Sequence, residues 1–112
     1  MKYSTTLKNN YEFRRLYTRG KCESSKHLVL YCRKNYRREN RFGITVTKKL
    51  GNAVKRNKIR RRLKEIYRLN EALLHTGYDL VIVAKPAILS ADYRTLDAEF
   101  KAVCAKLRLV QK

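Results

Sequence analysis

FGITVTKKLGNAVKRNKIRRRLKEIYR, running from Phe42 to Arg68, changes its apolar period partway along. In its first part Phe42, Ile44 and Val46 alternate with Gly43, Thr45 and Thr47, the pattern of a strand with one core face and one polar face. Leu50 and Gly51 then close a turn. Asn52 is a good N-cap for a helix expected to reach about His75, where Thr76 and Gly77 stop it. Along that helix Ile59, Leu63, Ile66, Asn70 and Leu73 stand at spacings of 4, 3, 4 and 3, which makes one apolar stripe, and Val54 is placed in the core with them. Between Lys48 and Lys64 nine of 17 positions are Lys or Arg and none is acidic. A half-buried strand followed by a helix with a single apolar stripe predicts a helix lying on a sheet with its cationic side outward.

The flanking sequence supplies the rest of the sheet. Tyr78 to Ala84 is apolar without alternation after Asp79, as expected for a strand covered on both faces, and Pro86 ends it. Ser90 begins a last helix with Leu96, Phe100, Val103 and Leu107 on its inner side. Towards the N-terminus, Asn9 or Asn10 caps a short helix to Arg19, with Phe13, Leu16 and Tyr17 on one face and Gly20 at its stop. An extended region follows, able to split at Ser24 and Ser25, in which Leu28, Leu30 and Cys32 alternate with Val29, Tyr31 and Arg33. Lys34 to Arg41 reads as a solvated hairpin connection, and residues 1–6 are expected to be loose. The whole of residues 1–112 is expected to form one domain.

The chain has 112 residues, 28 of them Lys or Arg and 9 Asp or Glu, a formal charge of +19. Such a length suits a single domain, and 44% apolar content fills one modest core. The longest apolar run, Leu80 to Ala84, is far short of a membrane span, and the N-terminus lacks the apolar core of a secretory signal, so a soluble cytoplasmic protein is expected. Three unclustered cysteines, Cys22, Cys32 and Cys104, argue against a disulfide framework or zinc knuckle and are read as reduced, semi-buried fillers. With only His27 and His75 available, histidine-based catalysis has little to work with. Residues 1–64 hold 21 Lys and Arg against Glu12, Glu23 and Glu39, a net of +18, whereas residues 65–112 are nearly neutral. That asymmetry implies a polyanionic partner such as nucleic acid. A membrane surface would need bulky apolar residues opposite the cations and no core competing for them. On a helical wheel Asn57, Lys58, Arg60, Arg61, Lys64 and Arg68 lie away from the stripe, with Arg56 and Arg62 flanking it, a ridge able to meet successive phosphates. Nothing resembles a DNA-reading device that would position such a helix in a groove, and RNA is favoured.

The segment from Phe42 to Arg68 resembles the signature of the protein subunit of bacterial ribonuclease P. That family combines a strand ending in Val, Ser or Thr and Lys-Lys, then Gly-Asn-Ala-Val, then an Arg-Asn-Arg core on a basic helix. The likeness extends from Leu7 and Phe13 through Leu30-Tyr31 to the strand Tyr78 to Pro86. Here the core reads Arg56-Asn57-Lys58, with an ammonium in place of a planar fork, and Thr47 stands where Ser is usual.

The resemblance implies an α+β fold: a two-layer α/β sandwich, ribosomal protein S5 domain 2-like, with a mixed four-stranded sheet and three helices in the order αβββαβα. It also implies a left-handed βαβ crossover, against the general right-handed rule. In function it implies a subunit of an endoribonuclease whose catalytic RNA removes the 5′ leader of precursor tRNA. The chemistry then belongs to that RNA and to Mg2+ held mostly by it, leaving the protein no catalytic side chain, no cofactor of its own and no obligate protein partner. Leader binding falls to Phe13, Tyr17 and Tyr31, with Thr47, Lys48 and Lys49 beside them. Catalytic-RNA binding falls to Asn52, Arg56, Asn57, Lys58, Arg60, Arg61, Arg62, Lys64 and Arg68. Spacing alone would put Phe13 and Tyr17 in the core and leaves Tyr31 open, and Asn52 serves equally as a cap or a ligand. A structural RNA-binding protein would need the ridge without the aromatic cleft, and a stand-alone nuclease would cleave without RNA.

Overall fold

The computed structural model describes residues 4–7 and 9–111. Its elements are β1 (Ser4–Thr6), α1 (Asn10–Arg19), β2 (Lys21–Ser24), β3 (Leu28–Lys34), β4 (Asn40–Thr45), α2 (Ala53–Asn70), β5 (Tyr78–Ala84) and α3 (Tyr93–Lys106). The α+β class and the three helices stand as expected, but the mixed sheet has five strands, in the order β1-β4-β5-β3-β2. The extended region after Gly20 does split, and β2 and β3 form an antiparallel hairpin. The fifth strand comes from residues expected to be loose: Ser4 to Thr6 pair in parallel with Asn40 to Phe42. Ser4 Oγ meets the Tyr67 hydroxyl at 2.5 Å and donates to Glu71 at 2.9 Å, which fixes β1 onto α2. Residues 1–3, part of the same expectation, lie outside the described residues.

β5 is the middle strand. It runs antiparallel to β3 and parallel to β4, with Asp79 between Arg33 and Arg41. The link from Lys34 to Asn40 is therefore not a hairpin, because β5 lies between the strands it joins. An apolar strand without alternation needs neighbours on both edges as well as cover on both faces, and this order supplies them. On one face Val81, with Val83 partly buried, packs against Leu16 and Phe13 of α1. On the other, Leu80, Ile82 and Ala84 join Leu63, Ile66, Tyr67, Leu96 and Phe100 of α2 and α3. Tyr67 stacks on Phe42 with ring centroids 3.9 Å apart and meets Phe100 edge-on.

Helix ends depart from expectation for local reasons. α2 stops at Asn70, short of His75, and continues as a 3-10 turn, Glu71–Leu73. The buried Asn70 amide donates to Ile66 O, competing for the carbonyl that the helix would use, and to Asp97 at 2.8 Å. Leu73 is consequently exposed, and Val54 is 76% exposed because the first turn of α2 projects beyond the sheet. Ile59 is the first stripe residue to pack on the core. α3 begins after Asp92, which accepts from Thr95 N at 2.8 Å, whereas Ser90 belongs to the preceding 3-10 turn, Pro86–Ser90. All three cysteines are free, with Cys32 and Cys104 buried but Cys22 exposed rather than a filler. No helix among the described residues is long and apolar enough to cross a membrane.

Candidate nucleic-acid interface

The interface begins where β1 ends. Thr6 is its last residue to pair, Leu7 N adds one hydrogen bond to Phe42 O at 3.0 Å, and beyond that point the outer edge of β4 has no strand beside it. α1 comes from one face of the sheet and α2 from the other, so the bare edge becomes the floor of a groove. Two adjoining hollows of about 560 and 620 Å3 form it and share Phe13, Ile44 and Arg60. Asn57, Arg61 and Lys64 line the first; Arg14, Tyr17 and Thr45 line the second. No acidic side chain lines either hollow.

Each ring on the α1 wall is held by a specific contact. Phe13 lies over Gly43, where an added Cβ would stand 2.6 Å from the ring, so only glycine admits it there. The Tyr17 hydroxyl meets Thr45 Oγ1 at 2.6 Å, and its ring packs edge-on against Tyr31 at 5.0 Å. Phe13 is half-buried and Tyr17 is 37% exposed, which leaves ring surface available to a ligand, whereas Tyr31, half-buried on β3, lines neither hollow and adjoins the groove only through Tyr17. Glu12, next to Phe13, pairs with Arg41 of β4, and Arg41 also grips Asp79 through two hydrogen bonds of 2.8 and 2.7 Å. The Asp79 hydrogen bond raises the Arg41 pKa further. This bridge pins α1 across β4 and β5 and turns the nearest carboxylates away from the groove.

The α2 cations divide into groups that helical spacing alone does not separate. Asn57, Arg60, Arg61 and Lys64 stand on the groove wall, where Arg60 donates to Asn57 Oδ1 at 3.0 Å. Arg62 turns inward and donates to Ala91 O at 3.0 Å, bracing the entry to α3. Arg56 is partly buried, with its Nε lacking a partner, and Lys58 is exposed. Among the described residues none of these cations forms an ion pair with a carboxylate. Arg68 does: it bonds Glu65 at 2.5 Å, both side chains half-exposed, so its charge is already engaged. Asn52 accepts from Lys55 N at 2.9 Å and fills the cap role. Thr47, Lys48 and Lys49 are exposed just past Val46, where β4 has ended and a 3-10 turn, Lys48–Leu50, begins. They lie beside the groove rather than in its lining.

Asn10, Arg14 and Thr45 also line the groove and are not among the ligand residues expected from sequence, Asn10 being read there only as a possible cap, a place that Asn9 takes. The signal existed for two of them, since Asn10, Phe13, Arg14 and Tyr17 fall at i, i+3, i+4 and i+7 on one helical face. Among the described residues no three of His, Cys, Asp and Glu stand together as a metal site would need.

Residues 1–108 match the family model described as Ribonuclease P. The chain is 40% identical over 112 residues to the Ribonuclease P protein component of Natranaerobius thermophilus, covering 100% of this chain and 97% of that one. It superposes on the RNase P protein of Staphylococcus aureus with a TM-score of 0.85 at 27% identity, covering 95% and 97% of the two chains. The RNase P protein of Thermotoga maritima gives a TM-score of 0.79 at 28% identity, with 87% and 92% covered.

Proposed function

The chain belongs to the ribonuclease P protein family, and from that premise we propose that it binds two RNAs at once. One is the catalytic RNA of the enzyme and the other the single-stranded 5′ leader of precursor tRNA. The observation that carries this reading is the groove itself, with rings on one wall and unpaired cations on the other. Rings stack on unpaired bases without demanding a sequence, and guanidinium groups meet the phosphates between them. The leader lies along β4, with its bases towards Phe13 and Tyr17, Tyr31 standing behind Tyr17, and its backbone towards Arg60, Arg61 and Lys64. The resemblance gives these last three residues to the catalytic RNA, and this reading moves them to the leader because they line the groove. Lys58, Arg56 and the outer surface of α2 remain for the catalytic RNA, with Lys48 and Lys49 at the groove's end. In this reading the scissile chemistry and its Mg2+ stay with the RNA, and the protein works in the cytoplasm without an obligate protein partner.

The test is reconstitution with a bacterial catalytic RNA. The protein should increase cleavage of precursor tRNA at low magnesium, and unchanged cleavage would overturn the proposal. Alanine at both Phe13 and Tyr31 should reduce the preference for leader-bearing precursor over mature tRNA. A protein that only scaffolds RNA would show no such preference to lose.

A further inference from the structure

A separate hollow, of about 390 Å3, lies at the end of the sheet where β5 begins and shares no lining residue with the groove. Lys34, Tyr36, Arg37, His75, Gly77 and Arg108 line it, with no acidic side chain among its lining residues. Three segments distant in sequence meet here: the connection 35–39, the turn before β5, and the residues after α3.

Its backbone is unusual. Among the described residues only Tyr36 and Arg108 hold a positive φ without being glycine, each at 59°, and both line this hollow. A left-handed backbone costs stability for any residue with a Cβ, and such strain gathers where function retains it. At Tyr36 packing gives nothing in return, because the residue is 92% exposed. The connection is nonetheless fixed. Asn35 N donates to Gly77 O at 2.8 Å, the Asn35 amide donates to Glu39 O and Asp79 at 3.1 Å, and its oxygen accepts from Arg37 N at 2.8 Å. Arg108 follows α3 where Leu109 N closes on Cys104 O at 2.9 Å, a position that glycine usually takes at helix ends. Two side chains are thus presented to solvent at positions where glycine would fold more easily.

We propose that this hollow is a second RNA site, in which an unpaired nucleotide stacks its base on Tyr36 and sets its phosphate among Lys34, Arg37 and Arg108. A free ring among cations fits both halves of a nucleotide, whereas an acidic peptide would leave the ring unused. The site goes beyond the groove reading and extends the RNA footprint to the opposite end of β5.

The chain contains no tryptophan, so Tyr36→Trp introduces a single indole reporter. Its emission should be quenched on titration with the catalytic RNA or with precursor tRNA, and which of the two quenches it identifies the source of the nucleotide. The signal should persist when Phe13→Ala disables the groove, which separates this site from the leader reading. Tyr36→Ala should weaken the responding RNA about fivefold or more with no loss of melting temperature. Arg108→Gly should raise the melting temperature while lowering the salt dependence of binding by about one phosphate contact. An unchanged emission while RNA binds, wild-type affinity in both variants, or equal quenching by a polyglutamate peptide would overturn the proposal.

Discussion

Gly43→Ala tests the contact that seats the aromatic wall. The new methyl would stand 2.6 Å from Phe13 Cζ and 2.8 Å from Cε1, against about 3.4 Å for an ordinary contact, while Leu7 Cβ already lies at 3.4 Å. Gly43 has no positive φ, so the backbone accepts alanine and the whole penalty comes from the ring. Overpacking of this kind costs about 1 to 3 kcal/mol, or roughly 4 °C of melting temperature per kcal/mol in a domain of this size. A displaced ring should also cut the preference for leader-bearing precursor about fivefold or more, the lower end of base stacking on an aromatic side chain. The decisive measurement is the cycle with Phe13→Ala, read by urea unfolding. Without the ring, alanine at position 43 should be neutral or stabilising by about 0.5 to 1 kcal/mol, because glycine inside a strand is unfavourable. If Gly43→Ala costs the same with and without the ring, the seating of Phe13 on the strand is wrong.

Arg41→Ala should leave Glu12 and Asp79 without their cation, Asp79 keeping only the Asn35 amide, with both side chains only 13% exposed, costing about 2 to 3 kcal/mol, somewhat under the range for fully buried pairs; a loss below about 1 kcal/mol in urea midpoints would refute the bridge. Native thiol titration should find one reactive cysteine, the exposed Cys22, because burial pushes Cys104 up to about 12 and raises Cys32 as well; three equivalents reacting before unfolding would contradict that. Asp97 is held below the usual carboxylate range chiefly by the Asn70 amide, against an opposing effect of burial, with a smaller contribution from Lys101. Its folded pKa is depressed, so its stabilisation is present above about pH 4 and is lost as pH falls through the folded value. Asp97→Asn should therefore flatten the acid decline of the unfolding midpoint, and an identical slope in both proteins would remove the assignment.

Sequence periodicity located what depends on one element alone. The 4-3-4-3 stripe found the inner face of α2, and the unbroken run in β5 found the strand covered on both sides. It mispaired β3 with β4 because chain order says nothing about which strands are neighbours, and Asp79 between Arg33 and Arg41 is visible only in three dimensions. Ser4 to Thr6 carry no apolar signal, since their place is set by the free edge of β4 rather than by burial. The aromatic residues were legible as candidates, but spacing alone favoured the core for Phe13 and Tyr17. Their half-buried state reflects a compromise that helical wheels do not contain: one side rests on Gly43 or Thr45 while the other is open. The ridge on α2 was correctly seen as basic. Its division among the groove wall, the inward Arg62 and the paired Arg68 depends on α1, α3 and Glu65, none of which a wheel of one helix includes.

The strand order also bears on how the chain acquires its shape. Before β5 exists only the two outer pairs, β2 with β3 and β1 with β4, can form; β4 finds its inner neighbour, and the two pairs are joined, only after the whole of α2 and the turn beyond it have been made. A nascent polypeptide would thus carry most of its positive charge, self-repelling and without a closed sheet, until its last third emerges. Such long-range pairing slows folding, and a polyanion present at that moment would relieve the repulsion and hasten closure.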